Sequence, residues 1–185
     1  YNRGPSGNAL GTGIGTVSAS EIIPTGVPAV YGQELGISFD DVSVSNPALA
    51  DATMQKLTKY EDMQLNADQM TRYVTIGSLI ACEYCCGAQT LVFSDGQRAC
   101  GCAHSYAMRG LAKYLITKHP DMSNDEILEE LGKWKVLFFP GVHEQKAAVL
   151  KSQGIELNYI NLASNKYRGA EKGQTNGGGG RVGGC

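Results

Sequence analysis

Cys82-Glu83-Tyr84-Cys85-Cys86-Gly87, followed by Cys100-Gly101-Cys102-Ala103-His104, gathers five of the chain's six cysteines and one of its three histidines into one short block. Such density points to a metal centre or a disulfide knot. Between the two clusters, Thr90 to Ala99 reads as two short strands around Asp95-Gly96, with the glycine supplying the positive φ that a two-residue hairpin needs. The hairpin is predicted to return Cys100 and Cys102 beside Cys82 and Cys85. A Cys-x-x-Cys bend aims two thiolates at one ion, and a second pair completes a tetrahedral site with Zn–S bonds of about 2.3 Å. The helix that starts after the second pair adds its N-terminal dipole to the thiolates. Knuckle, hairpin and helix in this order predict a treble-clef-like site.

Six donors compete for four positions. Cys82, Cys85, Cys100 and Cys102 are the predicted ligands, with Cys86 and His104 as alternates. Cys86 adjoins Cys85 and is strained as a co-ligand, so it reads as a spare ligand, a small buried hydrophobe or a redox partner. Zinc is the expected ion. Copper(I) is an alternative, since it prefers soft sulfur at low coordination and Met108 offers a nearby thioether. An iron–sulfur cluster also takes four cysteines, whereas covalent haem is excluded because neither cluster reads Cys-x-x-Cys-His. The competing reading is disulfides, three of them if Cys185 folds back.

Outward from this block the chain reads as helical. Asn46-Pro47 caps a helix over about residues 47–60. Asn66 caps a second that runs through Met70, Tyr73, Val74 and Ile80 into the cysteines. Met108, Leu111, Ala112 and Leu115 mark a third over 104–118, stopped by Pro120. Ser123 and Glu126 form a capping box for a fourth, whose Ile127, Leu128, Leu131 and Trp134 face the core. Gly141 to Gln153 makes a fifth, closed by Gly154, and Ile155 to Ile160 alternates like a short strand. The fold class is therefore mainly α: about five helices around a Cys-rich β-hairpin.

The 24 glycines of the 185 residues divide the chain further: eight fall in residues 1–36, eight in 169–185 and eight in the 132 between. The expected organisation is a Gly-rich arm over 1–36, a helical metal-binding domain over 37–168 and a Gly-rich tail over 169–185. Gly11-Thr12-Gly13-Ile14-Gly15 resembles a phosphate loop only faintly, because no strand precedes it. Sixteen Lys and Arg against 18 Asp and Glu leave a net charge of −2, too little positive charge for a dedicated nucleic-acid binder or a polybasic membrane patch. No apolar run approaches the roughly 20 residues of a membrane span. Beginning at Tyr1 with no charged and apolar leader, the chain is expected to be a processed or trimmed product.

Other candidates read as structural. His143-Glu144 opens like a zinc-protease helix, but Ala147 stands where the second ligand belongs, so His143 is expected on a solvated helix start. His119 is expected at a helix end, beside exposed carbonyls. Lys133 and Lys135 complement the dipole of a helix with an acidic first half, and Trp134, Phe138 and Phe139 fill the core. Ser105 beside His104 does not make a hydrolase.

Over about residues 72–135 the chain resembles a group of bacterial cysteine-rich proteins named for a PCYCGC motif, although it carries Cys82-Glu83-Tyr84-Cys85-Cys86-Gly87 in place of that motif. The resemblance implies metal binding through Cys82, Cys85, Cys86, Cys100, Cys102 and His104, and an exported, envelope-associated protein. The expected function is that of a non-enzymatic, extracytoplasmic metal-binding protein, holding zinc structurally or handling copper. One alternative is a structural subunit of an extracellular assembly, whose arms contact other copies or an envelope partner. A thiol redox protein using Cys82 and Cys85 is the third.

Overall fold

The computed structural model describes residues 15–172 and Val182. Eight α-helices form among the described residues: α1 Ala19–Ile22, α2 Gly32–Leu35, α3 Pro47–Thr58, α4 Ala67–Gly77, α5 Ala103–Lys118, α6 Asn124–Phe138, α7 Pro140–Ser152 and α8 Tyr159–Ala163. Their starts follow side-chain chemistry. Asn46 accepts from the Leu49 amide ahead of α3, and Asn66 and Ser123 make reciprocal capping boxes with Gln69 and Glu126. Pro140 ends α6 and occupies the first turn of α7, where its missing N–H costs nothing.

Helix α5 is central, packed against α3, α4 and α6, while α8 lies across α6. Two glycines permit these crossings. A Cβ on Gly110 of α5 would sit 2.1 Å from the Leu57 carbonyl oxygen of α3, and one on Gly132 of α6 would sit 2.7 Å from that of Tyr159. Because the obstacle at Gly110 is backbone, α3 would have to move. Gly110→Ala is expected to destabilise the fold by about 3 kcal/mol, the upper range for overpacking, read as a lower urea midpoint at unchanged slope.

The mainly helical class stands, but the hairpin does not. Among the described residues there is no strand; Val92 and Arg98 form one isolated antiparallel bridge. The turn itself forms, with Gly96 at φ 82° and the Phe93 amide donating to Gln97 at 2.9 Å. Across the turn the Ala99 amide also donates to the Leu91 carbonyl at 3.1 Å, but the ladder goes no further than this bridge. The Leu91 amide donates to Gly77 and Ile80, and the buried Arg109 guanidinium donates to the carbonyls of Leu91 and Cys100 at 3.2 and 2.9 Å. Ile155 to Ile160 is likewise no strand: Asn158 caps α8, its side chain accepting from the Asn161 amide at 2.8 Å. Helix α4 stops at Gly77, short of Ile80 and the cysteines.

The segment 15–36, expected as part of an arm, holds α1 and α2 and adds Val17, Ile22, Tyr31 and Leu35 to the core. Tyr31 anchors it. Its hydroxyl donates to Glu130 at 2.8 Å and accepts from the Trp134 indole at 2.7 Å, while Phe39 packs on Trp134. Residues 1–14 and 173–185 other than Val182, with most of the glycine loop and tail and with Cys185, lie outside the described residues.

Candidate metal centre

The residues that leave α4 set up the first half of the site. Cys82 is buried, Glu83 turns the chain at φ 39°, and the Cys85 amide faces the Cys82 sulfur. A left-handed glutamate is strained backbone, and here two cations, the buried Lys135 and the partly buried Arg168, hold it. Lys135 Nζ lies 2.8 Å from Glu83 Oε1, and Arg168 Nε lies 3.1 Å from Oε2. Lys135 donates further to the Ala163 carbonyl at 2.8 Å, and Arg168 to that of Ala88 at 2.9 Å. Burial pushes the Glu83 carboxyl up, but Lys135 and Arg168 outweigh it and keep it below the usual carboxylate range. Burial pushes Lys135 down to about 8, opposed by Glu83, so the pair is ionised at neutral pH.

The second half comes from the start of α5. Cys102 is its N-cap residue, its sulfur accepting from the Ser105 amide at 3.4 Å, and His104 occupies the first turn. Cys82 and Cys102 are free thiols with sulfurs 3.4 Å apart. The Cys102 thiol is lowered first by its contact with Cys82 and then by His104 and Ser105, with burial opposing; Cys82 is raised by the same contact and by burial. His104 is fully buried between the rings of Phe138 and Phe139, centroids 4.9 and 4.8 Å away. Its Nε2 faces the Val182 carbonyl oxygen at 2.6 Å. A carbonyl oxygen only accepts, so Nε2 carries a proton and Nδ1 is the nitrogen that would take an ion, the arrangement in which a ligating histidine is oriented by a backbone carbonyl.

The ligand atoms of Cys82, Cys85, Cys102 and His104 all lie within 4.8 Å of one another. A tetrahedron with 2.3 Å bonds has sulfur–sulfur edges of about 3.8 Å, so the Cys82–Cys102 separation needs only a small adjustment around an ion. The donor set is three sulfurs and one imidazole, and these groups can hold a metal ion. Cys100, expected with them, is joined in a disulfide to Cys86. Cys85 is disulfide-bonded as well, so the four-donor set is complete when Cys85 is a thiolate. Met108 lies in the hydrophobic core.

Three site residues escaped the sequence reading. Lys135 is fully buried and serves Glu83, not the helix dipole alone, and Arg168 closes the same clamp. His143 is fully buried, against the expectation of a solvated start, because the Pro140 turn directs α7 inward beneath Tyr84. Its Nδ1 faces the Phe139 carbonyl at 2.7 Å. Burial, then Lys135, pushes His143 down to about 3, against the Phe139 carbonyl. The unfolded chain therefore takes up a proton near pH 6.5 that the folded chain refuses until about 3. Stability contributed by neutral His143 is fully present above pH 6.5 and falls by up to about 1.4 kcal/mol per unit below it. A His143→Phe variant is expected to flatten this acid limb in melts taken from pH 7 to 4. An unchanged limb would assign it to other groups.

Comparison with protein-family models, curated proteins and solved structures finds no match for this chain, so its Cys/His geometry is the ground on which function is argued.

Proposed function

We propose that this is a non-enzymatic metal-binding protein whose Cys82, Cys85, Cys102 and His104 hold one ion, zinc in a structural role or copper being handled. The observation that carries the reading is the convergence of three sulfurs and one imidazole within 4.8 Å from the two ends of a connection that contains no other regular element. Three thiolates and one neutral imidazole match a closed structural zinc site, and the same sulfurs suit copper(I). The ion would tie the loop after α4 to the start of α5, adding its binding energy to folding. Export to an extracytoplasmic compartment belongs to the proposal, and the Cys86–Cys100 disulfide supports it because such bonds persist where conditions are oxidising.

The test is a thermal melt of the purified, reduced protein with and without a strong chelator. Chelation is expected to lower the midpoint and release one equivalent of metal; an unchanged midpoint with no release would overturn the reading. A thiol redox role is the second reading, favoured by a disulfide whose two sulfurs lie within ligand reach of the free Cys102 thiol. Attack by the Cys102 thiolate would form a new disulfide between Cys102 and one sulfur of the Cys86–Cys100 pair and release the other as a thiolate. Catalysed thiol–disulfide exchange that Cys102→Ser abolishes would favour it.

A further inference from the structure

The chain carries more cysteines at this place than one ion can use, two as free thiols and three in disulfides. Cys86, Cys100 and Cys102 form a second group whose sulfurs also lie within 4.8 Å of one another. Cys102 belongs to both groups. The two differ in exposure: in the inner group Cys82 and His104 are fully buried and Cys85 partly so, whereas in the outer group Cys86 is exposed and Cys100 and Cys102 are only slightly accessible.

We propose that Cys86, Cys100 and Cys102 make a second, exchangeable metal site for copper(I), sharing the Cys102 thiolate with the inner site and closed off when Cys86 and Cys100 are joined as a disulfide. This rests on the metal-binding reading above and extends it from one ion to two. Three sulfurs with no imidazole or carboxylate are a poor set for zinc, which prefers four ligands, and a good one for a soft monovalent ion that accepts three. A thiolate sulfur has lone pairs for two ions, and Cys102, at the positive end of α5, is where the added charge is best tolerated. Cys86 is more exposed than the partly buried Cys85 of the inner site, so the outer ion is the one passed on to another carrier.

The disulfide is the gate. A dithiol reductant R(SH)2 transfers two electrons and two protons: the Cys86–Cys100 S–S bond breaks, both sulfurs become thiols, and the reductant leaves as its own cyclic disulfide. Copper(I) then displaces the thiol protons as it binds. In the reverse exchange an external disulfide takes the two electrons and two protons of the Cys86 and Cys100 thiols and leaves as a dithiol, which removes two of the three ligands at once and leaves Cys102 to the inner ion.

The experiment is an anaerobic titration of the fully reduced protein with copper(I) against a competing chelator, followed by copper X-ray absorption. Wild type is expected to bind two equivalents and to show a copper–copper vector. Cys86→Ser/Cys100→Ser is expected to bind one equivalent, lose that vector and keep the wild-type helical circular dichroism. Reoxidising the wild type to the Cys86–Cys100 disulfide after one equivalent is loaded should block the second, and a dithiol should restore it. One equivalent in both proteins would overturn the outer site while leaving the inner one standing. No binding in either would overturn both, and two equivalents without the vector would overturn the shared thiolate.

Discussion

A Cys102→Ser variant is expected to purify without metal and to lose the cooperative thermal transition of the segment between α4 and α5. Cys102 caps α5, touches Cys82 at 3.4 Å and stands in both thiol groups, so no other single side chain serves as many parts of the site. Serine keeps the capping oxygen, which separates the ligand role from the helix cap. The loss read in the variant is therefore that of the metal, on the order of 10 kcal/mol of binding energy for a structural zinc site, far above the roughly 1 kcal/mol of a cap. Metal analysis and a melt of the reduced protein check it. Metal retained at the wild-type level would remove Cys102 from the ligand set.

The second large effect is expected at the buried ion pair beneath the site. Lys135→Met removes the cation whose Nζ lies 2.8 Å from Glu83 and leaves that carboxylate, only 6 % exposed, with Arg168 alone. Breaking a buried pair from one side costs about 3–5 kcal/mol, because the remaining charge stays desolvated. Glu83→Gln/Lys135→Met should recover most of the loss, since a neutral amide beside an apolar chain buries no charge. The same pair holds the left-handed turn between Cys82 and Cys85, so Lys135→Met is also expected to weaken metal binding, and the double variant to restore stability more fully than affinity. Urea unfolding of wild type, Lys135→Met, Glu83→Gln and the double variant, each with a competitive metal titration, measures both. A single variant as stable as wild type would show that Arg168 suffices.

What could be read from the sequence and what could not follows the range of the interactions involved. Helices α3, α5, α6 and α7 announced themselves because capping and apolar periodicity are local: Asn46-Pro47, the Ser123–Glu126 box and the Met108–Leu115 stripe lie within the elements they specify. The β-hairpin shrinks to the single Val92–Arg98 bridge: the Leu91 amide turns back to Gly77 and Ile80, and the Cys100 carbonyl is taken by Arg109, a residue of α5 whose inward direction no local pattern reveals. Burial of Lys135 and His143 was hidden for the same reason; each sits on a helix of ordinary sequence, and only the packing of α6, α7 and the Glu83 loop brings them inside. The crowding of thiols was plain from spacing. Spacing did not show which of them meet: His104 reaches the inner group because it lies in the first turn of α5, just after the Cys102 cap, while Cys100, three residues before the first helical residue Ala103, faces Cys86.

Tyr31 makes the same point for the N-terminal segment. Low charge and many glycines suggest an arm, yet one aromatic side chain, bonded to both Glu130 and Trp134, ties residues 15–36 to α6.

The central claim is that three sulfurs and one imidazole from Cys82, Cys85, Cys102 and His104 hold a metal ion, and one measurement meets it head on: elemental analysis with metal-edge X-ray absorption on protein purified under reducing conditions without added metal. A bound metal is expected whose inner-site environment is three sulfurs and one nitrogen, with the nitrogen lost in His104→Ala. Protein that contains no metal and takes none up when reduced, or a bound ion whose shell is unchanged by His104→Ala, would contradict it.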